Sequence, residues 1–158
     1  MPLPKAGAKA PAFSLPDQDG RIRTLSEFKG AWMLLYFYPK DDTPGCTIEA
    51  CTIRDQFKGF TKIGAVVIGA STDSVESHRR FADAYRLPFT LLADTDKTLV
   101  RAYGVWSTKK MMGREYLGTR RTSFLIDPKG RIAKVYENVK PPLHAADVIR
   151  DLTELVHG

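Results

Sequence analysis

Two cysteines, Cys46 and Cys51, are the residues of this 158-residue chain whose type and spacing could do chemistry. Thr43 is a favourable helix N-cap and Pro44 a favourable first helical residue, so we expect a helix to begin there. Cys46 then lies in the first turn, where unpaired backbone N–H groups and the positive end of the helix dipole favour a thiolate over a thiol. This position is typical of an activated sulfur nucleophile.

The spacing of the two cysteines limits how they could form a disulfide. On an intact helix they would lie about 140° apart around the axis, with Cα atoms about 8.6 Å apart. A disulfide tolerates a Cα separation of at most about 7 Å, so closing it requires the first turns to unwind. Pro44 and Gly45 disfavour helix continuation toward the amino terminus. We therefore hypothesise a cycle between a folded dithiol and a locally unfolded disulfide, which an oxidised structure with an intact helix would contradict.

The two cysteines could also bind zinc, form a thioredoxin-type motif or be buried without a chemical role. A zinc site built on C-x4-C needs two more ligands, and His78, His144 and His157 show no ligand spacing. We accordingly predict no metal and no bound cofactor. A thioredoxin-type oxidoreductase uses C-x-x-C, which the sequence lacks. Two buried, inert cysteines remain an alternative on spacing alone.

The charge balance gives little support for nucleic-acid binding. The chain has 24 Lys and Arg against 18 Asp and Glu, a formal net charge of +6. The basic residues are scattered in pairs and form no long block, as at 79–80, 109–110 and 120–121. We predict a mildly basic solvated surface and no nucleic-acid partner.

The hydrophobic pattern is that of a folded domain. Hydrophobic residues make up 43% of the chain and charged residues 27%. The longest uncharged apolar run, residues 31–38, is too short to span a bilayer, and we predict no membrane partner. Residues 1–11 have no apolar segment typical of a secretion signal. We therefore expect a cytoplasmic, reducing location, where a structural disulfide is not expected.

Strand and helix patterns alternate along the chain. Strands are predicted at 12–15, 21–24, 31–38, 65–70, 90–93, 123–126 and 132–136. Helical patterns cover 46–62, 75–86, 96–103 and 144–156, and a single helical turn is predicted at 26–29. Turn signals at 17–20 and 127–130 join two of the strand pairs as hairpins.

This order predicts an α/β sandwich in one domain, residues 1–158, with antiparallel strands added to a parallel centre. In such sheets functional sites collect at the carboxyl ends of the central strands. The strand at 31–38 ends at Pro39, and Cys46 follows seven residues later. The predicted nucleophile therefore lies at the expected edge of the sheet.

Three segments of the sequence resemble the peroxiredoxins. Pro39, Thr43 and Cys46 match the family signature P-x3-T-x2-C, and Cys51 within TPGCTIEAC resembles the Q-type branch, also called bacterioferritin comigratory proteins. Residues 109–118 (KKMMGREYLG) and 121–127 (RTSFLID) are similar to downstream blocks of that branch. The resemblance covers nearly the whole chain. It implies a thioredoxin-like sandwich, with a central mixed β-sheet flanked by helices and an added N-terminal β-hairpin.

By position, the resemblance assigns Cys46 as the peroxidatic cysteine and Cys51 as the resolving one. Thr43 and Arg121 resemble the residues that orient the sulfur and the peroxide, and Pro39 resembles the proline that shields the pocket from water. Glu49 resembles a helix carboxylate of the branch, for which the sequence suggests no definite role.

The implied function is a thiol-dependent peroxidase that reduces hydrogen peroxide and organic hydroperoxides in antioxidant defence. Cys51 would convert the Cys46 sulfenic acid to an intrachain disulfide, and thioredoxin or a similar dithiol reductase would reduce it. A partner chain is not needed for this step, so we expect a monomer. Two competing interpretations are a disulfide oxidoreductase acting on protein partners and a redox sensor or holdase chaperone with little turnover.

Overall fold

The computed structural model describes residues 2–157, whose centre is a five-stranded mixed sheet. Its strands are β3 (Trp32–Phe37), β4 (Ala65–Ser71), β5 (Thr90–Ala93), β8 (Thr122–Ile126) and β9 (Ile132–Tyr136). They lie side by side in the order β5-β4-β3-β8-β9. Two separate hairpins are formed by β1 (Ser14–Pro16) with β2 (Ile22–Thr24) and by β6 (Trp106–Met111) with β7 (Arg114–Thr119). The helices are α1 (Pro44–Asp55), α2 (Phe57–Ile63), α3 (Val75–Tyr85), α4 (Thr98–Ala102) and α5 (His144–His157), with a 3-10 turn at Leu25–Phe28.

Strand β3 is the central strand that positions the other elements. It runs parallel to β4 and antiparallel to β8, with Phe37 opposite Thr122. Because β8 runs the other way, its first residues meet the carboxyl end of β3. This register brings Arg121, just before β8, to the edge of the sheet where the chain leaves β3 toward α1.

The two faces of β3 bury two separate apolar clusters, as the period of two in a strand requires. Leu34, Tyr36 and Tyr38 pack with buried residues of α1, α2, α3 and α5. Met33 and Leu35 pack on the opposite face with buried residues that include Leu99 and Val100 of α4. Helix α1, which carries both cysteines, is thereby held against the sheet.

The sequence-based prediction of an α/β sandwich with an added N-terminal hairpin is confirmed, and most elements lie within a few residues of their predicted positions. One predicted helix, 46–62, is two helices, because Gln56 leaves the helical conformation (φ −106°, ψ 16°). The buried side of the pattern continues across this break, since Ile53 and Phe60 both enter the same cluster. The periodicity was therefore correct although the helix is interrupted.

The β6–β7 hairpin was not predicted from the sequence. Its strands are largely exposed, so they show none of the apolar alternation that marks a half-buried strand. The two-residue turn is formed by Met112 and Gly113, both with positive φ (52° and 79°), as in the tight turns that favour glycine.

Within residues 2–157, no helix combines the length and the apolar character needed to cross a lipid bilayer.

Close packing between β3 and β4 gives a first testable expectation. A Cβ atom at Gly69 would lie 2.8 Å from the buried ring of Tyr36. We expect Gly69→Ala to lower the free energy of unfolding by about 1–3 kcal/mol, because the ring is enclosed and has little room to shift. Urea denaturation of the reduced protein measures this change.

The matched control is Gly59→Ala, where the new Cβ would meet the terminal Cδ1 of Ile149, also at 2.8 Å. That side chain is flexible and half-buried, so it can rotate away. An equal loss of stability in both variants, or no loss for Gly69→Ala, would contradict the enclosed packing of Tyr36.

Candidate active site

The amino-terminal turn of α1 has the geometry that the sequence predicted. Thr43 is the N-cap (φ −91°, ψ 156°), Pro44 is the first helical residue, and Cys46 lies in the first turn with only 2% of its surface exposed. The Thr43 hydroxyl donates to the carbonyl of Lys40 at 2.9 Å and does not cap the helix. Thr47 N–H donates to the Thr43 carbonyl at 2.8 Å, which begins the helical hydrogen bonds.

Arg121 is the side chain that contacts the Cys46 sulfur. Its Nη2 donates to Cys46 Sγ at 3.3 Å, and its Nη1 donates to Glu49 Oε1 at 2.7 Å. A Cβ atom at Gly45 would lie 3.0 Å from Nη2, so the absence of a side chain there lets the guanidinium approach the helix start. Burial lowers the pKa of Arg121, but its interactions and hydrogen bonds with Glu49 and Cys46 more than offset this and raise it above its ordinary value.

Glu49 is the second residue of α1 that Arg121 contacts. It lies one helical turn after Cys46 on the same face of α1 and has 0% of its surface exposed. Its second oxygen, Oε2, has no hydrogen-bond partner among residues 2–157. Burial raises the pKa of Glu49 to about 7, and the Arg121 guanidinium limits that rise. The sequence suggested a helix carboxylate here but did not reveal that it pairs with Arg121.

Of the other predicted site residues, Pro39 and Thr43 precede Cys46 in the sequence and Cys51 follows it. Pro39 is half-buried and lies two residues after the end of β3, and Thr43 lies between it and the helix. Cys51 is half-buried in the next turns of α1, and both cysteines are free while α1 is continuous from Pro44 to Asp55. No hydrogen bond joins Thr43 to Cys46 in the described part of the chain.

A buried polar cluster behind the Pro39–Thr43 loop was not predicted. Asp41 and His78 form a 2.6 Å contact, and Asp73 completes a group of three residues whose polar atoms lie within 4.8 Å of one another. These groups are already hydrogen-bonded to protein atoms, so their arrangement is accounted for without an ion. The one sequence signal was that His78 shares a helical face with Phe81 and Ala82.

His144, which the sequence placed near the start of the last helix, is the first residue of α5. It is buried, and its Nε2 forms a 2.7 Å hydrogen bond with the hydroxyl of Ser123. Burial lowers the pKa of His144 to about 4, so its imidazole is neutral at pH 7. Among residues 2–157 it makes no hydrogen bond to either cysteine, and its ring packs edge-on against that of Tyr136.

The base of the β6–β7 hairpin borders the site. Lys109 Nζ donates to the carbonyl of Thr119 at 2.8 Å, two residues before Arg121. Burial lowers the pKa of Lys109, the nearby Arg121 charge lowers it further, and Cys46 acts in the opposite direction. The hairpin that the sequence did not predict therefore places the Lys109 side chain near Arg121.

The chain is similar to known proteins over most of its length. Residues 6–135 match the model of the AhpC/TSA family. The chain is 47% identical to peroxiredoxin Bcp of Escherichia coli K12 over 150 residues, which is 95% of this chain and 96% of that protein. Among solved structures, a cysteine-to-serine variant of PrxQ from Xylella fastidiosa superposes with a TM-score of 0.93 at 33% identity, over 98% of this chain and 99% of that one. The bacterioferritin comigratory protein of Xanthomonas campestris, whose structures were studied for alkyl peroxide reduction, gives a TM-score of 0.89 at 36% identity, over 96% and 99% of the two chains.

The buried carboxyl of Glu49 makes folding stability depend on pH. Its pKa rises from 4.5 to about 7 on folding, so between these values the folded protein retains a proton that the unfolded chain has lost. Stability contributed by this group is therefore present below about pH 4.5 and is lost as the pH rises through 7. The free energy of unfolding of the original protein should therefore fall relative to that of Glu49→Gln as the pH rises. We expect the difference between the two proteins to change by more than about 1 kcal/mol from pH 5 to pH 8.

Urea denaturation of both reduced proteins at the two pH values measures this difference. The same stability difference at pH 5 and pH 8 would show that Glu49 titrates alike in the folded and unfolded states, contrary to its buried position.

Proposed function

Because the chain belongs to the AhpC/TSA family and is a peroxiredoxin, a peroxidase that uses cysteine thiols, we propose that Cys46 is its peroxidatic residue. The observation that carries this proposal is the 3.3 Å contact from Arg121 Nη2 to the buried Cys46 Sγ, made by a guanidinium that also pairs with the buried Glu49. Cys46 is the cysteine at the helix start, where both the backbone N–H groups and a guanidinium stabilise negative charge.

The first step is displacement at a peroxide oxygen. The Cys46 thiolate attacks one oxygen of the hydroperoxide, an S–O bond forms, and the O–O bond breaks. The other oxygen leaves with the electron pair and takes up a proton, giving water or an alcohol and leaving Cys46 as a sulfenic acid.

Activating the thiol alone cannot account for an efficient peroxidase. A free cysteine is about 3% ionised at pH 7, so complete ionisation adds only about thirtyfold in rate. The rest must come from groups that stabilise charge as the O–O bond stretches. Arg121 is suited to this, because it stays charged and presents several N–H donors at fixed angles. The backbone N–H groups of the helix start would supply further donors, and so would the Thr43 hydroxyl once it turns away from the Lys40 carbonyl. Pro39 would limit the access of water.

Resolution would use Cys51. Its thiolate attacks the sulfur of the Cys46 sulfenic acid, an S–S bond forms, the S–O bond breaks, and hydroxide leaves and is protonated to water. Both cysteines lie on the continuous helix α1, so its first turns would have to unwind for the two sulfurs to meet. The intrachain bond prevents further oxidation of Cys46.

An external dithiol would complete the cycle by supplying two electrons to the disulfide, and thioredoxin or a similar reductase is the expected partner. The substrates would be hydrogen peroxide and small organic hydroperoxides, and no cofactor is required by this chemistry. Since the resolving cysteine is in the same chain, one domain acting as a monomer would suffice, in a reducing compartment such as the cytoplasm.

Replacing the peroxidatic sulfur should remove the activity. We expect Cys46→Ser to consume no hydrogen peroxide above background in an assay coupled to thioredoxin, because an alcohol is far less ionised than a thiol and cannot form a sulfenic acid. Substantial peroxide consumption by this variant would contradict the assignment of Cys46.

Cys51→Ser is the matched variant for the resolving role. We expect it to reduce one equivalent of peroxide per chain and then stop, since Cys46 can be oxidised but not resolved. Trapping with a sulfenic-acid reagent and intact-mass measurement would detect the product. Full turnover with thioredoxin in this variant would exclude Cys51 as the resolving cysteine.

A further inference from the structure

The loop between β3 and α1 is fixed to the rest of the molecule by one buried side chain. Asp41 has 3% of its side-chain surface exposed. Its Oδ1 accepts a hydrogen bond from the Tyr38 hydroxyl at 2.6 Å, and its Oδ2 accepts one from the Ser77 hydroxyl at 2.8 Å. Oδ2 also lies 2.6 Å from Nδ1 of His78, which has 0% of its surface exposed.

The partners of His78 define where protons lie in this contact. Its Nε2 is 2.8 Å from the carbonyl oxygen of Leu92, which can only accept, so Nε2 carries a proton. A second proton must lie between Nδ1 and Asp41 Oδ2, because neither atom could otherwise make so short a contact with the other. The pair is therefore joined by a short hydrogen bond between two buried side chains.

The backbone of the same loop is held as well. Asp41 N–H donates to Asp73 Oδ2 at 2.8 Å, and that oxygen also accepts from the Ser71 hydroxyl at 2.6 Å. Tyr38 N–H donates to the carbonyl of Ala70 at 3.1 Å. The chain up to Asp41 is thus attached to β4 and to the loop after it by both main-chain and side-chain bonds.

The next residue is held quite differently. Asp42 is exposed and has a left-handed backbone (φ 58°). Its carboxylate accepts from the Tyr85 hydroxyl at 2.9 Å in a contact that solvent reaches, and such exposed bonds contribute little. The loop is therefore held by buried hydrogen bonds up to Asp41 and by an exposed one at Asp42. Asp42 lies four residues before Cys46.

We propose that Asp41 and His78 are positioning residues for the peroxidase reaction, forming an anchor that stays folded while the chain from Asp42 to Cys51 rearranges. In the dithiol form the anchor holds the start of α1 so that Cys46 faces Arg121. When Cys46 is oxidised, unwinding begins at Asp42, whose exposed bond to Tyr85 breaks readily. This inference rests on the proposed resolution of Cys46 by Cys51.

Hydrogen exchange of the unmodified protein tests the position of this hinge. Backbone amides would be followed by NMR in the dithiol form and after one equivalent of hydrogen peroxide, with disulfide formation verified by intact mass. We expect the Thr47 amide, which donates within α1, to lose protection by about a hundredfold or more on oxidation. The amides of Tyr38 and Asp41 should keep their protection within about threefold.

Two outcomes would contradict different parts of the account. If the disulfide forms and the Asp41 amide loses protection together with that of Thr47, the anchor is wrong and the proposed function stands. If intact mass shows no disulfide after oxidation of Cys46, the resolution step itself is wrong and the anchor fails with it.

A pair of variants tests the effect of the anchor on the peroxide step. In a Cys51→Ser background, we expect Asp41→Ala to slow oxidation of Cys46 by hydrogen peroxide at least tenfold, since small displacements of a reacting group are costly. Tyr85→Phe removes the exposed hydroxyl that donates to Asp42 and should change the rate less than about twofold.

His78→Gln, which alters the same buried pair from the α3 side, replaces Asp41→Ala if circular dichroism shows that variant unfolded. An unchanged oxidation rate in the folded anchor variant, or an equal loss in Tyr85→Phe, would overturn the positioning role.

Discussion

The Arg121 guanidinium holds two groups of α1 at once, the carboxylate of Glu49 and the sulfur of Cys46. A planar group with separate donors can do this because its N–H bonds point in fixed directions. The contact constrains much of the surrounding structure. Glu49 and Cys46 must share one helix face, Gly45 must lack a side chain, and β8 must run antiparallel to β3 so that Arg121 reaches the start of α1.

The same contact limits how the site can change. Glu49 is buried, and one of its oxygens has no partner within the described residues, so its ionised form is costly and the Arg121 charge offsets part of that cost. Unwinding the start of α1 would separate Cys46 from Arg121. The folded arrangement is therefore suited to reacting with peroxide, and the unwound one to joining the two cysteines. The buried Asp41–His78 pair restricts that change to the chain beyond Asp41.

Much of the fold could be predicted because its signals are local. The apolar run that became β3, the turn at 17–20 and the amphipathic pattern of α5 each specify a structure within a few residues. The β6–β7 hairpin escaped prediction because its exposed strands are not patterned by burial. Its one local sign is Gly113 after Met112, since positive φ at both positions suits a tight turn.

In the site, too, features set by neighbouring residues could be predicted, whereas contacts between residues distant in the sequence could not. The helix start at Thr43 and Pro44 and the burial of Cys46 follow from neighbouring residues, but Arg121 entered through the resemblance to a family. The Glu49–Arg121 and Asp41–His78 contacts join residues 72 and 37 positions apart, and no periodic pattern encodes such pairs. They become visible only once the sheet register and helix packing are known.

If the proposed function holds, Cys46 owes its reactivity to the geometry of Arg121 and not to its charge alone. Stopped-flow measurement of Cys46 oxidation by hydrogen peroxide in Arg121→Lys, compared with the original protein, tests this most directly. Lysine keeps the positive charge but lacks the planar fork that reaches both Glu49 and Cys46. We expect the rate constant to fall by about a hundredfold or more in a protein that remains folded, because a preorganised donor to the developing charge is lost. A rate constant within about threefold of the original would contradict it.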